Sequence, residues 1–259
     1  MEIAAHITAI QDDGKLFAEA AEMGGLDRDV PSCPGWDVRE LVRHLGMIHL
    51  WAAGHVAFPH EEPDYESEED ELAAFAANWP ELGTFWPDDD QLVDWYRRTN
   101  ANLVDVLVSA SPDVPAWTFL EAPSPRAMWA RRQAHEIAVH RFDAQEAAGV
   151  ESEFDSGFAA DGVDEIVVAF ATRKPEFPVD EPRAMLVHAS DTDDRWRITP
   201  APDGITTVRG DGPADTTLTG RAADLYLAMW NRGDDSEIDV SGDRDLLDLW
   251  HNNVRVRWS

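Results

Sequence analysis

Residues 125–149, PRAMWARRQAHEIAVHRFDAQEAAG, predict one long helix that constrains the rest of the chain. Ser124 is suited to cap its first turn, and Pro125 fits the first helical position, where no backbone N–H is needed. Gly149 stands where helices commonly end. A helix of this length has to bury one face, so the residues on that face indicate what the neighbouring elements must provide.

Two candidate metal ligands share one face of this helix. Glu136 and His140 are four residues apart, whereas His135 points about 100° away from Glu136. A third ligand has to come from another part of the chain. His44 is a candidate because it lies beside the apolar stripe of an earlier predicted helix, where it can point into a bundle.

The first 150 residues predict a four-helix bundle. Besides 125–149, the apolar periodicity predicts helices over 2–23, 38–57 and 90–110, with Asp37 and Glu40 as a capping pair for the second. The acidic segment 58–90 predicts a solvated excursion with one short helix at 69–78.

Residues 151–259 predict a separate small α+β domain. A helix ending near 172 is followed by short runs rich in β-branched residues between 184 and 220, which predict strands. A helix over 221–233, a strand over 236–242, a short helix over 243–253 and a last strand over 254–259 complete the pattern. The fold class is therefore α+β, with domains at 1–150 and 151–259.

The net charge excludes some classes of partner. At −30, from 51 acidic against 21 basic residues, the surface repels nucleic acid and anionic membranes. A G+C-rich genome and a salt-adapted cytoplasm both explain this charge. No apolar run approaches ~18 residues and no basic-then-apolar leader is found, so we expect a soluble, cytoplasmic protein, monomeric or homodimeric. The single cysteine, Cys33, rules out an internal disulfide.

The residues themselves support a divalent metal held by His44, Glu136 and His140. Two imidazoles and a carboxylate suit zinc, with a fourth position open, and they also suit non-haem iron(II). The spacing His-Glu-x-x-x-His differs from the metalloprotease pattern by one residue, so its two histidines lie on different faces. The alternative is that His44, His135 and His140 are ordinary packing histidines paired with the abundant acids.

Two stretches carry a family resemblance. PSCPGWDVRELVRHLG, followed about ninety residues later by RRQAHEIAVHRFDAQEAAG, resembles the mycothiol-dependent maleylpyruvate isomerase family of DinB-like (YfiT-like) metal-binding four-helix bundles. TTLTGRAADLYLAMWNRG is similar to that family's C-terminal domain, a sterol-carrier-like α+β fold. The resemblance covers most of the chain and is weakest over 58–90.

The resemblance implies a zinc site with His44, Glu136 and His140 as ligands. Zinc would bind the thiol of mycothiol as a thiolate, since a bound metal lowers the pKa of its ligand. Addition of the thiolate to an activated double bond, rotation and expulsion would give cis–trans isomerisation. Retention of the adduct would make the protein an S-transferase. Cys33 is not needed as a nucleophile in either reaction and is expected to be a small packed residue.

Geometry suggests roles for two neighbours of the ligands. Arg132 is four residues before Glu136, on the same face, where it could hold an anionic substrate group or pair with Glu136. Asp143 is three residues after His140 and could orient that imidazole, or it could be a surface acid.

Other candidate residues rest on the resemblance or on size. Arg232 resembles an arginine of the family's C-terminal domain that faces the active site, with Arg221 as a competitor. Trp36 and Trp129 are expected to be packing residues.

Two classes of function stay open. One is a thiol-using metalloenzyme acting on a small electrophile. The other is a non-catalytic metal-bound module that binds a small molecule or regulates a partner. An enzyme needs an open metal position and a cation for its substrate, whereas a structural site would be closed.

Overall fold

The computed structural model describes residues 1–58, 68–82, 87–111 and 113–256, with backbone only at 68, 69, 71 and 72. The chain divides into two compact units, Glu2–Ser152 and Glu153–Ser259 together with Met1. Parts of the expected acidic excursion, 59–67 and 83–86, and the end of the expected last strand, 257–259, lie outside the described residues. Within the described ranges no helix is long and apolar enough to cross a membrane.

The first unit is a bundle of four long helices. Its helices are α1 (Ile3–Gly24), α2 (Val38–Ala57), α3 (Glu68–Ala76), α4 (Asp89–Ser109) and α5 (Pro125–Ala148), with a 3-10 turn at Pro80–Leu82. Helix α1 packs against α5 and α4, and α2 packs against α4 and α5, so the four long helices close a ring. The short helix α3 contacts α2.

The ends of α2 and α5 confirm the capping predicted from the sequence. Asp37 accepts a hydrogen bond from the backbone of Glu40, whose own side chain accepts one from the backbone N–H of Asp37. Ser124 accepts from the backbone of Ala127 at 3.2 Å. Gly149 ends α5 in the left-handed region, with φ of 71°. These local interactions fix where α2 begins and where α5 begins and ends.

The second unit is a five-stranded mixed sheet with helices. Its elements are α6 (Ser156–Asp164), β1 (Met185–Ala189), β2 (Arg195–Ala201), β3 (Gly204–Arg209), β4 (Thr216–Gly220), α7 (Ala222–Met229), β5 (Asp239–Gly242) and α8 (Asp245–Asn253). The strand order is β3-β2-β1-β4-β5, and within this sheet only the β1–β4 pair is parallel. Helix α6 packs against α7, and the Trp230 indole donates to the backbone oxygen of Gly162 at 3.0 Å.

The helix predicted to end near 172 is regular only up to Asp164. It continues as a π-helical segment, Glu165–Phe170, and a 3-10 turn, Ala171–Arg173. The change coincides with the run Ile166, Val167 and Val168, in which β-branched side chains crowd the preceding turn of an α-helix. Periodicity alone does not distinguish these helix types.

Two strand predictions in the second unit differ from the structure. The strand expected over 236–242 begins at Asp239, because Asp234 first accepts a hydrogen bond from the backbone of Ser236 in a tight turn. The last strand does not form over 254–256. The N–H of Val254 instead donates to Trp250 at the end of α8, and its carbonyl accepts from the side chain of Asn231.

Helices α2 and α4 approach closely at a glycine. A Cβ placed on Gly46 would lie 2.1 Å from the ring of Trp95, which is 1% exposed and fully enclosed. The contact joins α4 to α2 only two residues from His44. The position therefore requires glycine because of packing and not because of backbone conformation.

We expect Gly46→Ala to lower the free energy of unfolding by about 1–3 kcal/mol, because the rigid indole ring has to move. Gly24→Ala is the matched control, since its Cβ would meet Ala148 at an ordinary 3.4 Å. Urea unfolding of the two variants and the wild type measures the difference. Equal stability of all three would contradict this account of the α2–α4 contact.

Candidate metal centre

Three side chains predicted as ligands come together between α2 and α5. The Nε2 atom of His44 lies 3.2 Å from Oε1 of Glu136, and the Nε2 atom of His140 lies 3.4 Å from the same oxygen. The three donor atoms all lie within 4.8 Å of one another. One helix supplies a carboxylate and an imidazole on one face, and the adjacent helix supplies the second imidazole.

The donor set fits a tetrahedral metal ion. Zinc binds histidine nitrogen and carboxylate oxygen at about 2.0–2.2 Å, which places neighbouring ligand atoms of a tetrahedron about 3.3 Å apart. The two distances to Glu136 Oε1 bracket that value. These side chains would therefore need little movement to hold a zinc-sized ion.

The second oxygen of Glu136 is held by Arg132. The guanidinium donates from Nη2 to Oε2 at 3.0 Å, and the Arg132 side chain is 1% exposed. Of the two roles considered for this arginine, the contact corresponds to pairing with Glu136. The pairing leaves Oε1 directed at the two imidazoles.

The far side of His140 contacts Asp143. Its Nδ1 atom lies 2.7 Å from Oδ2 of Asp143, a carboxylate with no exposed surface. An ionised carboxylate can only accept, so the Nδ1 atom carries the proton that it donates. The Nε2 atom is thereby the one presented to Glu136.

The charges of the site are strongly coupled in the metal-free protein. Burial opposes ionisation of Glu136, but hydrogen bonds from His140 and His44 and the charge of Arg132 outweigh it, so its pKa lies well below the usual range. Burial also opposes the charge on His140, yet contacts with Asp143, Cys33 and Glu136 raise its pKa well above the usual range.

His44 behaves differently from His140. Burial, the largest cause, lowers its pKa, and the positive charge of His140 adds to this effect, although Glu136 partly opposes it. His44 is therefore neutral where His140 is cationic. Because a neutral imidazole is the form that binds a metal, a bound ion would have to displace a proton from His140.

Family models match both units of the chain. A model described as the mycothiol maleylpyruvate isomerase N-terminal domain matches residues 7–145, and one described as the MDMPI C-terminal domain matches residues 157–249. The chain belongs to the mycothiol maleylpyruvate isomerase family. This match confirms the family and the isomerase class of enzyme expected from the sequence.

Solved structures with the same fold support the fold class. A crystal structure of the mycothiol-dependent maleylpyruvate isomerase has a TM-score of 0.64 and 14% identity, with 93% of each chain covered. A histidine-to-alanine mutant of that isomerase has a TM-score of 0.63 at the same identity and coverage. The predicted α+β fold with an N-terminal four-helix bundle is thus confirmed. No curated protein sequence matches the chain.

The structure also shows the surroundings of Trp36, Trp129 and His135. The Trp36 ring lies 5.1 Å from the His44 ring, edge to face. Trp129 is buried among other aromatic rings, and its indole donates to the backbone oxygen of Trp117 at 2.8 Å. Both positions are consistent with packing roles. His135 lies on another face of α5, where its ring contacts that of His6 at 6.0 Å.

The two candidate arginines of the C-terminal unit, Arg221 and Arg232, flank α7. Arg221 is the residue before its first turn, and Arg232 follows its end, where Nη1 donates to the backbone oxygen of Trp230 at 3.1 Å. A substrate-binding role for Arg232 stays a prediction from the resemblance.

Sequence reasoning missed the contacts that two loop residues make at the site. Ser32 donates to Oδ1 of Asp143 at 2.5 Å, and Cys33, expected only as a small packed residue, donates to Oδ2 at 3.5 Å. The only local signal was their place in the PSCPGW motif, because no periodicity relates a loop residue to a helix so far along the chain.

We expect Glu136→Gln to lower the free energy of unfolding of the metal-free protein by about 3 kcal/mol at neutral pH, because it leaves Arg132 buried beside a neutral group. The folded-state pKa of Glu136 is depressed, so its contribution is present above the unfolded value of about 4.3 and is lost as pH falls further. The deficit should therefore shrink below that pH.

Urea unfolding at several pH values after chelator treatment measures this effect. Glu121→Gln, at an exposed loop acid, is the control and should match the wild type. A deficit in Glu136→Gln that does not change with acidification would contradict the electrostatic account.

Proposed function

We propose that this chain is a zinc-dependent enzyme that uses mycothiol to catalyse cis–trans isomerisation of a small electrophile such as maleylpyruvate. The observation that carries the proposal is the convergence of His44, Glu136 and His140, whose donor atoms all lie within 4.8 Å of one another, in a chain of this family. The expected cytoplasmic location and monomeric or homodimeric state belong to the same proposal.

His44, Glu136 and His140 would hold the ion and leave one position of a tetrahedron for the thiol. Bound zinc supplies a lowered thiol pKa, so that the thiol is present as a thiolate at neutral pH. The protein's part is to keep three donor atoms in place without the metal. Arg132 does this for Glu136, and Asp143 does it for His140.

Arg232 is proposed as the cation for an anionic substrate group, on the resemblance alone. Arg132 is instead assigned to positioning Glu136, since its guanidinium is buried against that carboxylate. An S-transferase would use the same ligands and the same thiol. It would differ in keeping the thiol bound to the product carbon.

We expect the purified protein to bind about one zinc ion per chain, and His44→Ala, Glu136→Ala and His140→Ala each to lose it. Elemental analysis after dialysis measures the stoichiometry. His188→Ala is the matched control, because that histidine lies in a strand of the other unit beside Asp193. A wild-type protein that neither contains nor takes up zinc would refute the metal site.

We expect the zinc-loaded protein to isomerise maleylpyruvate only when mycothiol is present. Arg232→Ala should raise KM about 10-fold or more, because a charge-assisted hydrogen bond contributes roughly 1.5–3 kcal/mol. Steady-state kinetics with varied thiol and substrate measure both effects.

Arg244→Ala is the control for that experiment, since its guanidinium is exposed and pairs with Asp235. Stable accumulation of a thiol adduct would favour S-transfer. A zinc-loaded protein without thiol-dependent turnover of any electrophile would favour a non-catalytic metal-bound module.

A further inference from the structure

A short loop lies against the outer side of the ligand set. This 30–36 loop, VPSCPGW, is closed by its own backbone: Val30 donates to the oxygen of Trp36 at 3.0 Å, and Trp36 donates to that of Cys33 at 3.0 Å. Gly35 has φ of 91°, a conformation that favours glycine. The loop is thus a compact unit that presents its side chains in fixed directions.

Donors from this loop converge on the buried carboxylate of Asp143. The Ser32 hydroxyl donates to Oδ1 at 2.5 Å, and the Cys33 thiol donates to Oδ2 at 3.5 Å. The Nδ1–H of His140 donates to Oδ2 at 2.7 Å. Because both oxygens are engaged, rotation of the carboxylate would break at least one of these hydrogen bonds.

The orientation of Asp143 determines which nitrogen of His140 is available. An acceptor fixed at Nδ1 keeps a proton on that atom, so Nε2, which faces Glu136, is the nitrogen that would give up its proton to bind a metal. The contacts form one continuous series, from the Ser32 hydroxyl through the Asp143 carboxylate to the His140 ring.

The same loop also contacts the other histidine. The Trp36 ring packs edge to face on the His44 ring at a centroid distance of 5.1 Å. The two imidazoles come from different helices. Trp36 contacts the His44 ring directly, and Ser32, four residues earlier in the same loop, contacts His140 through Asp143.

We propose that Ser32, supported by Cys33, is a positioning residue that fixes the tautomer and ring direction of His140 through Asp143. The inference rests on the proposed function, because His140 is a metal ligand only there. It goes beyond that function by assigning a role to two loop residues outside the set of three proposed ligands, both of which donate to Asp143.

A competing interpretation is a separate cation site. Donor atoms of Cys33, His140 and Asp143 also lie within 4.8 Å of one another. A cation there would have to replace the proton on His140 Nδ1 and the hydrogen bonds of Ser32 and Cys33 to Asp143. His140 would then bridge two ions, so we favour the hydrogen-bonded arrangement.

The test is the zinc affinity of metal-free protein, measured by competition with a chromogenic chelator. We expect Ser32→Ala to weaken binding about 10-fold and Asp143→Ala up to about 100-fold. Ser32→Thr keeps the hydroxyl and should restore the wild-type affinity. Asp143→Asn keeps an acceptor for His140 and should lose less than Asp143→Ala. Ser111→Ala, at an exposed loop serine, should bind as the wild type does.

A second readout separates positioning from general loosening of the fold. The nitrogen chemical shifts of His140 in the zinc-loaded protein report which ring nitrogen binds the ion and which carries the proton. We expect binding through Nε2 with a protonated Nδ1 in the wild type and in Ser32→Thr, and a mixture of Nε2-bound and Nδ1-bound rings in Asp143→Ala, where nothing fixes the direction of the ring. Urea unfolding of the metal-free variants shows whether any loss of affinity merely follows a loss of stability.

The outcomes are distinguishable. Wild-type affinity in Ser32→Ala and Asp143→Ala, with loss in His140→Ala, would overturn the positioning proposal and leave the metal site intact. Absence of zinc binding by the wild type would remove the proposed function and this inference with it. Two zinc equivalents, of which one is lost in Cys33→Ala, would overturn the inference in favour of the separate cation site.

Discussion

The buried carboxylate of Glu136 is the group on which the arrangement of the helical unit depends. It is 4% exposed, and burying a charge without partners would cost several kcal/mol. Its two oxygens therefore need donors from different directions. Arg132 supplies one from the same helix, and the imidazoles of His44 and His140 supply the others. His44 can contact Glu136 only if α2 is held at a defined position along the axis of α5.

The packing of α2 against α4 helps to set that position. Gly46 allows the Trp95 ring of α4 to come against the α2 backbone two residues from His44. The capping box at Asp37 fixes the start of the same helix, and the 30–36 loop immediately before it reaches Asp143 behind the second imidazole. A helix start, a helix contact and a loop thus restrict the positions of the two histidines.

The match at 14% identity to a solved isomerase structure shows how little of the sequence the fold requires. Apolar periodicity and total core volume can be kept by many sequences, so a four-helix bundle survives extensive substitution. A fold alone does not define a reaction. The chemistry of this chain therefore has to be argued from its buried group of charged and polar side chains between α2 and α5.

The sequence by itself determined the features that depend on neighbours along the chain. The caps at Asp37 and Ser124, the left-handed end at Gly149 and the common face of Glu136 and His140 follow from contacts within a few residues, where helix geometry leaves little choice. The sequence pattern did not predict the helix type or the strand correctly where competing local conformations differ slightly in energy. These places are the π-helical segment Glu165–Phe170 and the residues just after α8.

Only the tertiary structure decided which distant groups meet. The sequence left two roles for Arg132, and the fold places its guanidinium on Glu136. The sequence likewise left Asp143 as either a surface acid or an orienting group. In the fold this carboxylate is buried and hydrogen-bonded to Ser32 and His140. The reason is physical: periodicity specifies the face of a helix, but the partner facing it depends on how whole elements pack, and that information is spread over the entire chain.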